Sequence, residues 1–142
     1  MKKIFVLLII CLLILTGCSK EEIEVESKVL KDEKTGISIT INDNIKNDTK
    51  LVVKEIDKDY SKLLKSDKYK IYDLSLNNKE KIKNDVKVNL VLPIDYSREK
   101  VKVYYISNDK IKEEYDLEIN KDRVSFYTNH LFRFALVEVK GE

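Results

Sequence analysis

Short runs in which every second residue is apolar recur along the chain from Val29 to Val139. The clearest run is residues 37–41, where isoleucines alternate with Ser38 and Thr40. A period of two is typical of a β-strand that buries one face and exposes the other. Further segments alternate in this way or form short apolar runs: 51–56, 72–76, 86–92, 101–105, 124–126 and 134–139. The pattern therefore predicts a chain that folds mainly as strands.

The segments between these runs have the composition of turns. Asn108-Asp109 predicts a two-residue hairpin, because Asn and Asp tolerate positive φ better than other non-glycine residues. Further turns are predicted at Asn77-Asn78, at Thr35-Gly36 and at residues 120–122. Residues 59–66 are the exception, since their apolar side chains fall at helical spacing and predict one or two helical turns.

About eight short strands with little helix predict an all-β fold, namely an antiparallel β-sandwich with one short helical turn. A chain of this size buries about two-thirds of its surface on folding, so residues 28–142 suffice for a single core. We therefore expect one domain there, preceded by an N-terminal signal helix.

The N-terminus carries a processing signal. Lys2-Lys3 is followed by an apolar run of twelve residues, 4–15, which would span about 18 Å as a helix, against about 30 Å for a bilayer core. The run ends in Leu15-Thr16-Gly17-Cys18, which resembles the lipobox of bacterial lipoproteins. The resemblance implies cleavage between Gly17 and Cys18 and attachment of a diacylglycerol to the Cys18 thiol. The alternatives are an ordinary secretory signal and an uncleaved anchor.

Three regions follow from this interpretation: a signal peptide over 1–17, a lipidated cysteine and polar tether over 18–27, and the sandwich over 28–142. Two or three acyl chains such as palmitate hold a protein on a membrane almost permanently, because each buried methylene adds about 0.8 kcal/mol. A tether of nine residues reaches at most about 32 Å. We therefore expect the domain close to the extracytoplasmic face of the cell membrane.

Charge and cysteine content exclude several functions. Loss of residues 1–17 removes two lysines and no acid from the 27 basic and 25 acidic residues, which leaves no net charge. A neutral domain argues against nucleic-acid binding, which needs a basic face. Cys11 leaves with the signal and Cys18 is acylated, so the folded domain has no cysteine for a disulfide, a thiolate zinc site or a nucleophile.

Segments 32–39, 86–109 and 124–137 resemble a β-sandwich module of surface and exported proteins of Gram-positive bacteria. The first reads D-E-K-T-G-I-S-I, the second contains V-K-V-N-L-V-L-P and V-K-V-Y-Y-I-S-N-D, and the third reads V-S-F-Y-T-N-H-L-F-R-F-A-L-V. The resemblance implies an Ig-like architecture with a spacer or ligand-presenting role, and it supplies no catalytic residue. The chain departs from the module at Leu131-Phe132, where Phe-Ser is usual, so we expect an exposed Phe132 or a shifted last strand.

Two polar features are candidate sites. His130 is the only histidine, which is too few for the usual zinc site, and we expect a structural role in which its ring hydrogen-bonds the backbone where the last strand begins. Catalysis and pH sensing are the alternatives for His130. The oxygen-rich loop from Asn42 to Asp48 has no EF-hand glycine pattern, so turn chemistry is favoured over calcium binding.

Four tyrosines, Tyr96, Tyr104, Tyr105 and Tyr127, are candidates for an aromatic face. In strands such residues more often form half-buried cross-strand pairs, and we favour that interpretation.

The sequence contains no nucleophile signature and no cofactor motif. We therefore expect a non-enzymatic, membrane-anchored lipoprotein whose sandwich is a binding or structural accessory module, without cofactor or metal. Expected partners are the bilayer, through acylated Cys18, and a membrane protein or cell-envelope polymer, with strand addition at a sheet edge as one mode. The alternatives are a self-protection lipoprotein that blocks an exported toxin and a small envelope hydrolase.

Overall fold

The computed structural model describes residues 27–140, which form ten β-strands and two short helical turns. The strands are β1 (Lys28–Lys31), β2 (Ser38–Ile41), β3 (Leu51–Ile56), β4 (Tyr69–Leu76), β5 (Val86–Val91), β6 (Val101–Ser107), β7 (Lys110–Glu114), β8 (Glu118–Asn120), β9 (Arg123–Thr128) and β10 (Arg133–Glu138). Helix α1 is Ser61–Leu64, and a 3-10 turn covers Arg98–Lys100. The predicted signal helix lies outside the described residues.

The strands form two antiparallel sheets of five strands each. Sheet I has the order β1-β2-β5-β9-β8, and sheet II has the order β3-β4-β10-β6-β7. The chain passes from one sheet to the other between β2 and β3, β4 and β5, β5 and β6, β7 and β8, and β9 and β10. The central strands β5 and β10 therefore pair with strands distant in sequence, and the all-β sandwich is confirmed with ten strands instead of about eight.

The core lies between the two sheets and is filled by alternate residues of the strands other than β7. Ile39 of β2, Val88 of β5 and Leu136 of β10 are fully buried in it. Aromatic rings from both sheets meet at its centre, where Phe126 and Phe134 have their ring centroids 5.3 Å apart. The predicted alternation is thus the packing pattern of the core, because successive side chains of a strand point to opposite faces.

The predicted turns at Asn108-Asp109 and at residues 120–122 border β7 and β8, but no apolar alternation predicted these two strands. All five residues of β7 are exposed at the edge of sheet II, and β8 has only three residues at the edge of sheet I. A strand that buries no face needs no apolar alternation, so its sequence carries no period-two signal.

The predicted turns are confirmed where the backbone requires unusual dihedral angles. Asn108 and Asp109 have φ of 54° and 57° and join β6 to β7, as expected of a type I′ hairpin. Gly36 has φ of 79° in the turn between β1 and β2. A Cβ at Gly36 would lie 3.2 Å from Cγ2 of Val91, so the position is also crowded.

The outer faces of the two sheets differ. Residues 57–68, between β3 and β4, place Tyr60 and Leu64 over sheet II, where they pack on Ile71, Ala135 and Val137. This second, smaller core contains the predicted helical turn as α1. The outer face of sheet I instead exposes most of Val29 and Tyr127. The candidate site lies on this face.

No helix between residues 27 and 140 is long and apolar enough to cross a membrane.

Candidate binding face

The outward side chains of sheet I form a polar surface that crosses all five strands. We call it the polar face and define it by the outward residues that the sheet register aligns: Lys31 of β1, Ser38 of β2, Lys87 and Asn89 of β5, Arg123, Ser125 and Tyr127 of β9, and Glu118 of β8. Much of it borders an open depression of about 440 Å³ that is lined mainly by residues of β5, β8 and β9.

A row of short polar side chains crosses the middle of this face. Ser38, Asn89 and Ser125 are direct neighbours on β2, β5 and β9. The Ser125 hydroxyl donates to Oδ1 of Asn89 at 2.6 Å, and Nδ2 of Asn89 donates to the Ser38 hydroxyl at 3.3 Å. Asparagine is disfavoured in strands, and these bonds hold its amide in one orientation. The described bonds use one N–H group and one oxygen lone pair of the Asn89 amide. Its second N–H group and second lone pair can therefore bond a ligand.

Positive charge predominates around the row. Lys31 lies beside Ser38 on the edge strand, and neither Lys31 nor Arg123 has an ion-pair partner within the described part of the chain. Nη1 of Arg123 donates to the Gly36 carbonyl at 2.9 Å, which fixes the guanidinium at one end of the face. Lys87 lies 3.7 Å from Glu118, whose side chain is 76% exposed. The polar face therefore has three cations and one carboxylate.

His130 does not make the contact expected of it. Its Nε2 lies 3.2 Å from Oε1 of Glu113, and its ring stacks at 4.1 Å on Tyr105, while Nδ1 is buried without a partner in the described residues. The prediction of a ring-to-backbone hydrogen bond is wrong. The loop before β10 turns the ring over β6 and toward the edge strand β7, and neither neighbour is close in sequence. Only the backbone of His130 is held locally, by the Thr128 hydroxyl at 3.1 Å.

Phe132, two residues further along, is 45% exposed, which is one of the two outcomes expected from its departure from the module pattern.

Turn chemistry accounts for the buried acid of the loop from Asn42 to Asp48. Asp43 is buried, and its Oδ2 accepts the backbone N–H groups of Lys83 at 2.6 Å and Asn84 at 3.1 Å. Its carboxylate thus connects the segment before β5 to the end of β2 through hydrogen bonds. Between residues 27 and 140, no three His, Cys, Asp or Glu side chains are grouped so that they could hold a metal ion.

The four candidate tyrosines do not form one aromatic face. Tyr105 packs into the core between the sheets, whereas Tyr104 contacts the smaller core on the outer side of sheet II. Tyr96 is buried, and burial raises the pKa of its hydroxyl to about 12. Tyr127 alone is largely exposed, and it lies beside Lys87 on the polar face.

A second charged cluster on the outer side of sheet II is fully paired. Arg133 binds Asp73 through Nε at 2.7 Å and Nη2 at 2.9 Å, and its Nη1 donates to the Tyr60 hydroxyl at 2.8 Å. That hydroxyl donates to Asp109 at 2.9 Å, and Lys58 binds the same carboxylate oxygen at 2.8 Å. The hydrogen bond from Lys58 lowers the pKa of Asp109, and the bonds to Asp73 raise the pKa of Arg133. These contacts fasten residues 57–68 to sheet II, so we assign the cluster a structural role.

Neither the polar face nor the charged cluster around Arg133 was predicted from the sequence. The outward positions of β5 carried one signal, because the polar residue between Val88 and Leu90 is Asn89, a residue type that strands disfavour. Its partners come from β2 and β9, which a local pattern does not connect. The predicted lipidation residue Cys18 and the cleavage position after Gly17 lie outside the described residues.

Neither a scan against protein-family profiles nor a search of curated proteins finds a match to this chain. The proposals that follow therefore start from the residues and their geometry.

Proposed function

We propose that the chain is a lipid-anchored, extracytoplasmic protein whose sandwich is a non-catalytic binding module. The anchor is the acylated thiol of Cys18, and the binding surface is the polar face of sheet I. The observation that carries the proposal is the difference between the two outer faces, since residues 57–68 cover sheet II and the polar face stays open.

The distance from Cys18 to the sandwich supports a position close to the membrane. Strand β1 begins at Lys28, so nine residues, 19–27, separate it from Cys18. Even fully extended they reach at most about 32 Å. A domain held this near the bilayer meets membrane proteins and the polymers that lie next to the membrane.

A non-catalytic role is supported by the chemistry of the face. Its hydroxyl and amide groups are bonded to one another in a row, and His130 lies elsewhere, with its ring against Glu113 and Tyr105 of sheet II. Groups arranged in this way orient a ligand, whereas nucleophilic catalysis needs a base within hydrogen-bond reach of the nucleophile.

Metabolic labelling with a palmitate analogue tests the anchor. The wild-type protein should take up label and fractionate with membranes, whereas Cys18→Ala should take up none and keep its uncut precursor length. Cys11→Ala is the matched control, because Cys11 lies within the signal and should leave labelling unchanged. Label on Cys18→Ala equal to that of the wild type would refute the anchor.

Capture from detergent-solubilised envelopes tests the binding surface, with the lipidated protein as bait. Asn89→Lys should lose a component that the wild type retains. Lys62→Glu, on helix α1 over the opposite sheet, should retain that component. Equal retention by Asn89→Lys and the wild type would exclude the polar face.

A further inference from the structure

The polar face combines two kinds of recognition chemistry, and the depression lined by residues of β5, β8 and β9 forms one part of it. Its centre is the neutral row of Ser38, Asn89 and Ser125, which crosses three strands spaced about 4.8 Å apart. The spare N–H and lone pair of Asn89 suit a ligand group that both donates and accepts, as a hydroxyl does.

The second element is charge. Lys31 extends the row on β1, beside Ser38. Arg123 lies on β9 and its Nη1 donates to the Gly36 carbonyl at 2.9 Å. Neither cation has an ion-pair partner in residues 27–140. Lys87 adds a third cation, paired only with the exposed Glu118 at 3.7 Å. At the rim, Lys121 and Asp122 contribute one charge of each sign. The polar face therefore complements a chain that carries both anionic groups and hydroxyls.

An aromatic ring completes the surface. Tyr127 exposes 60% of its area beside Lys87, so its ring face is open to a flat ligand ring. A tyrosine offers an apolar face with a polar tip, which suits a sugar ring that has both C–H and hydroxyl groups.

Other macromolecules fit less well. A peptide added as a strand needs an open sheet edge, whereas the backbone groups of β5 and β9 are already paired on both sides. The edge strand β7 resists strand addition, because four of its five exposed residues are charged and a bulge interrupts its pairing with β6. The bilayer is disfavoured because Thr40 and Lys87 separate the exposed side chains of Val29 and Tyr127 across the sheet.

We propose that the polar face binds an acidic polysaccharide, a sugar chain that carries carboxylates. Its carboxylates contact Lys31 and Arg123, its hydroxyls bond the amide of Asn89, and one sugar ring lies on Tyr127. The inference rests on the proposed function in that it names the ligand class of the same face.

Binding of full-length lipidated protein in detergent micelles to polygalacturonate tests the inference. Dextran supplies hydroxyls without charge, and polyglutamate supplies carboxylates without sugar hydroxyls. Polygalacturonate should bind at least about tenfold more tightly than either control, because each control lacks one of the two contacts. Its affinity should fall as salt rises from low to physiological concentration, since exposed charges are then screened.

Variants locate the site. Asn89→Leu and Lys31→Gln should each weaken polygalacturonate binding by about tenfold, whereas Lys62→Gln should leave it unchanged. The Lys31 side chain makes no hydrogen bond or ion pair within residues 27–140, so Lys31→Gln keeps the test valid should Asn89→Leu unfold. Circular dichroism of each variant verifies the fold.

Three results would overturn the inference. They are equal affinity for polyglutamate, equal affinity for dextran, and undiminished polygalacturonate binding by both variants. Absence of binding by the wild type would also refute it. Palmitate labelling is measured on the same preparations, so a failure of the anchor is seen separately from a failure of the polysaccharide site.

Discussion

The ion pair between Asp73 and Arg133 permits the sharpest test of how residues 57–68 are held. The two residues are direct cross-strand neighbours on β4 and β10, and their side chains are only 24% and 21% exposed. Asp73→Ala removes both hydrogen bonds that the carboxylate accepts from the guanidinium. Arg133 then keeps its charge in a largely buried position, with the Tyr60 hydroxyl as its remaining hydrogen-bond partner among the described residues.

The cost follows from the burial of the pair. A hydrogen bond to a charged group contributes about 1.5–3 kcal/mol, and an unpaired buried charge costs about 3–5 kcal/mol. Because a fifth of each side chain is exposed, we expect Asp73→Ala to lower the free energy of unfolding by about 2–4 kcal/mol. A domain of this size has about 5–15 kcal/mol in total. The urea midpoint should therefore fall by about 1–2 M.

A double-mutant cycle isolates the interaction. Urea unfolding of Asp73→Ala, Arg133→Met and the double variant, followed by circular dichroism, should give a coupling energy of about 1.5–3 kcal/mol. The matched control is Glu55 with Lys70, a pair at 3.3 Å whose side chains are about half exposed. Its coupling should stay below about 1 kcal/mol. A coupling for Asp73 with Arg133 no larger than that of the control would refute the reasoning from burial.

Three further predictions concern the core and the turns. Burial raises the pKa of Tyr72 and Tyr96 from 10.0 to about 12. The free energy of unfolding should therefore keep its full value below pH 10 and fall by about 2–3 kcal/mol per tyrosine as the pH rises toward 12. Absorbance of tyrosinate and circular dichroism measure this fall, and Phe at either position should move alkaline unfolding to higher pH. Gly36→Ala should cost about 1–2 kcal/mol in urea unfolding, because its φ is 79° and its Cβ would crowd Val91; an unchanged midpoint would contradict this. Asp43→Ala should cost about 2–3 kcal/mol by leaving two backbone N–H groups without an acceptor, and a loss below 0.5 kcal/mol, roughly the size of a surface change, would contradict that role.

Strands that bury one face were predictable, and those that bury none were not. The alternation around Ile39 and Val88 predicted β2 and β5, because a strand of the core must place every second side chain inside. The exposed edge strand β7 left no such pattern. Asn108 and Asp109 nevertheless marked the hairpin that leads into it, because positive φ is a local requirement of the turn.

The surroundings of single polar residues were beyond the reach of local patterns. His130 was expected to bond its own backbone, and its ring instead contacts Glu113 and Tyr105 from two other strands. Asp73 and Arg133 lie 60 residues apart and meet because β10 pairs with β4. Alternation predicts which way a side chain points, and strand pairing decides which side chain it meets.

The sequence by itself determined the period-two strands, the turns and the lipobox-like N-terminus, because each depends on residues adjacent in the chain. It also determined that residues 18–142 carry equal numbers of basic and acidic side chains. Only the tertiary structure decided that Lys31, Lys87 and Arg123 share one face with the Asn89 row, and that residues 57–68 cover the other sheet. The physical reason is that strand order follows from burying apolar surface contributed by the whole chain, so side chains far apart in sequence become neighbours only when the core closes.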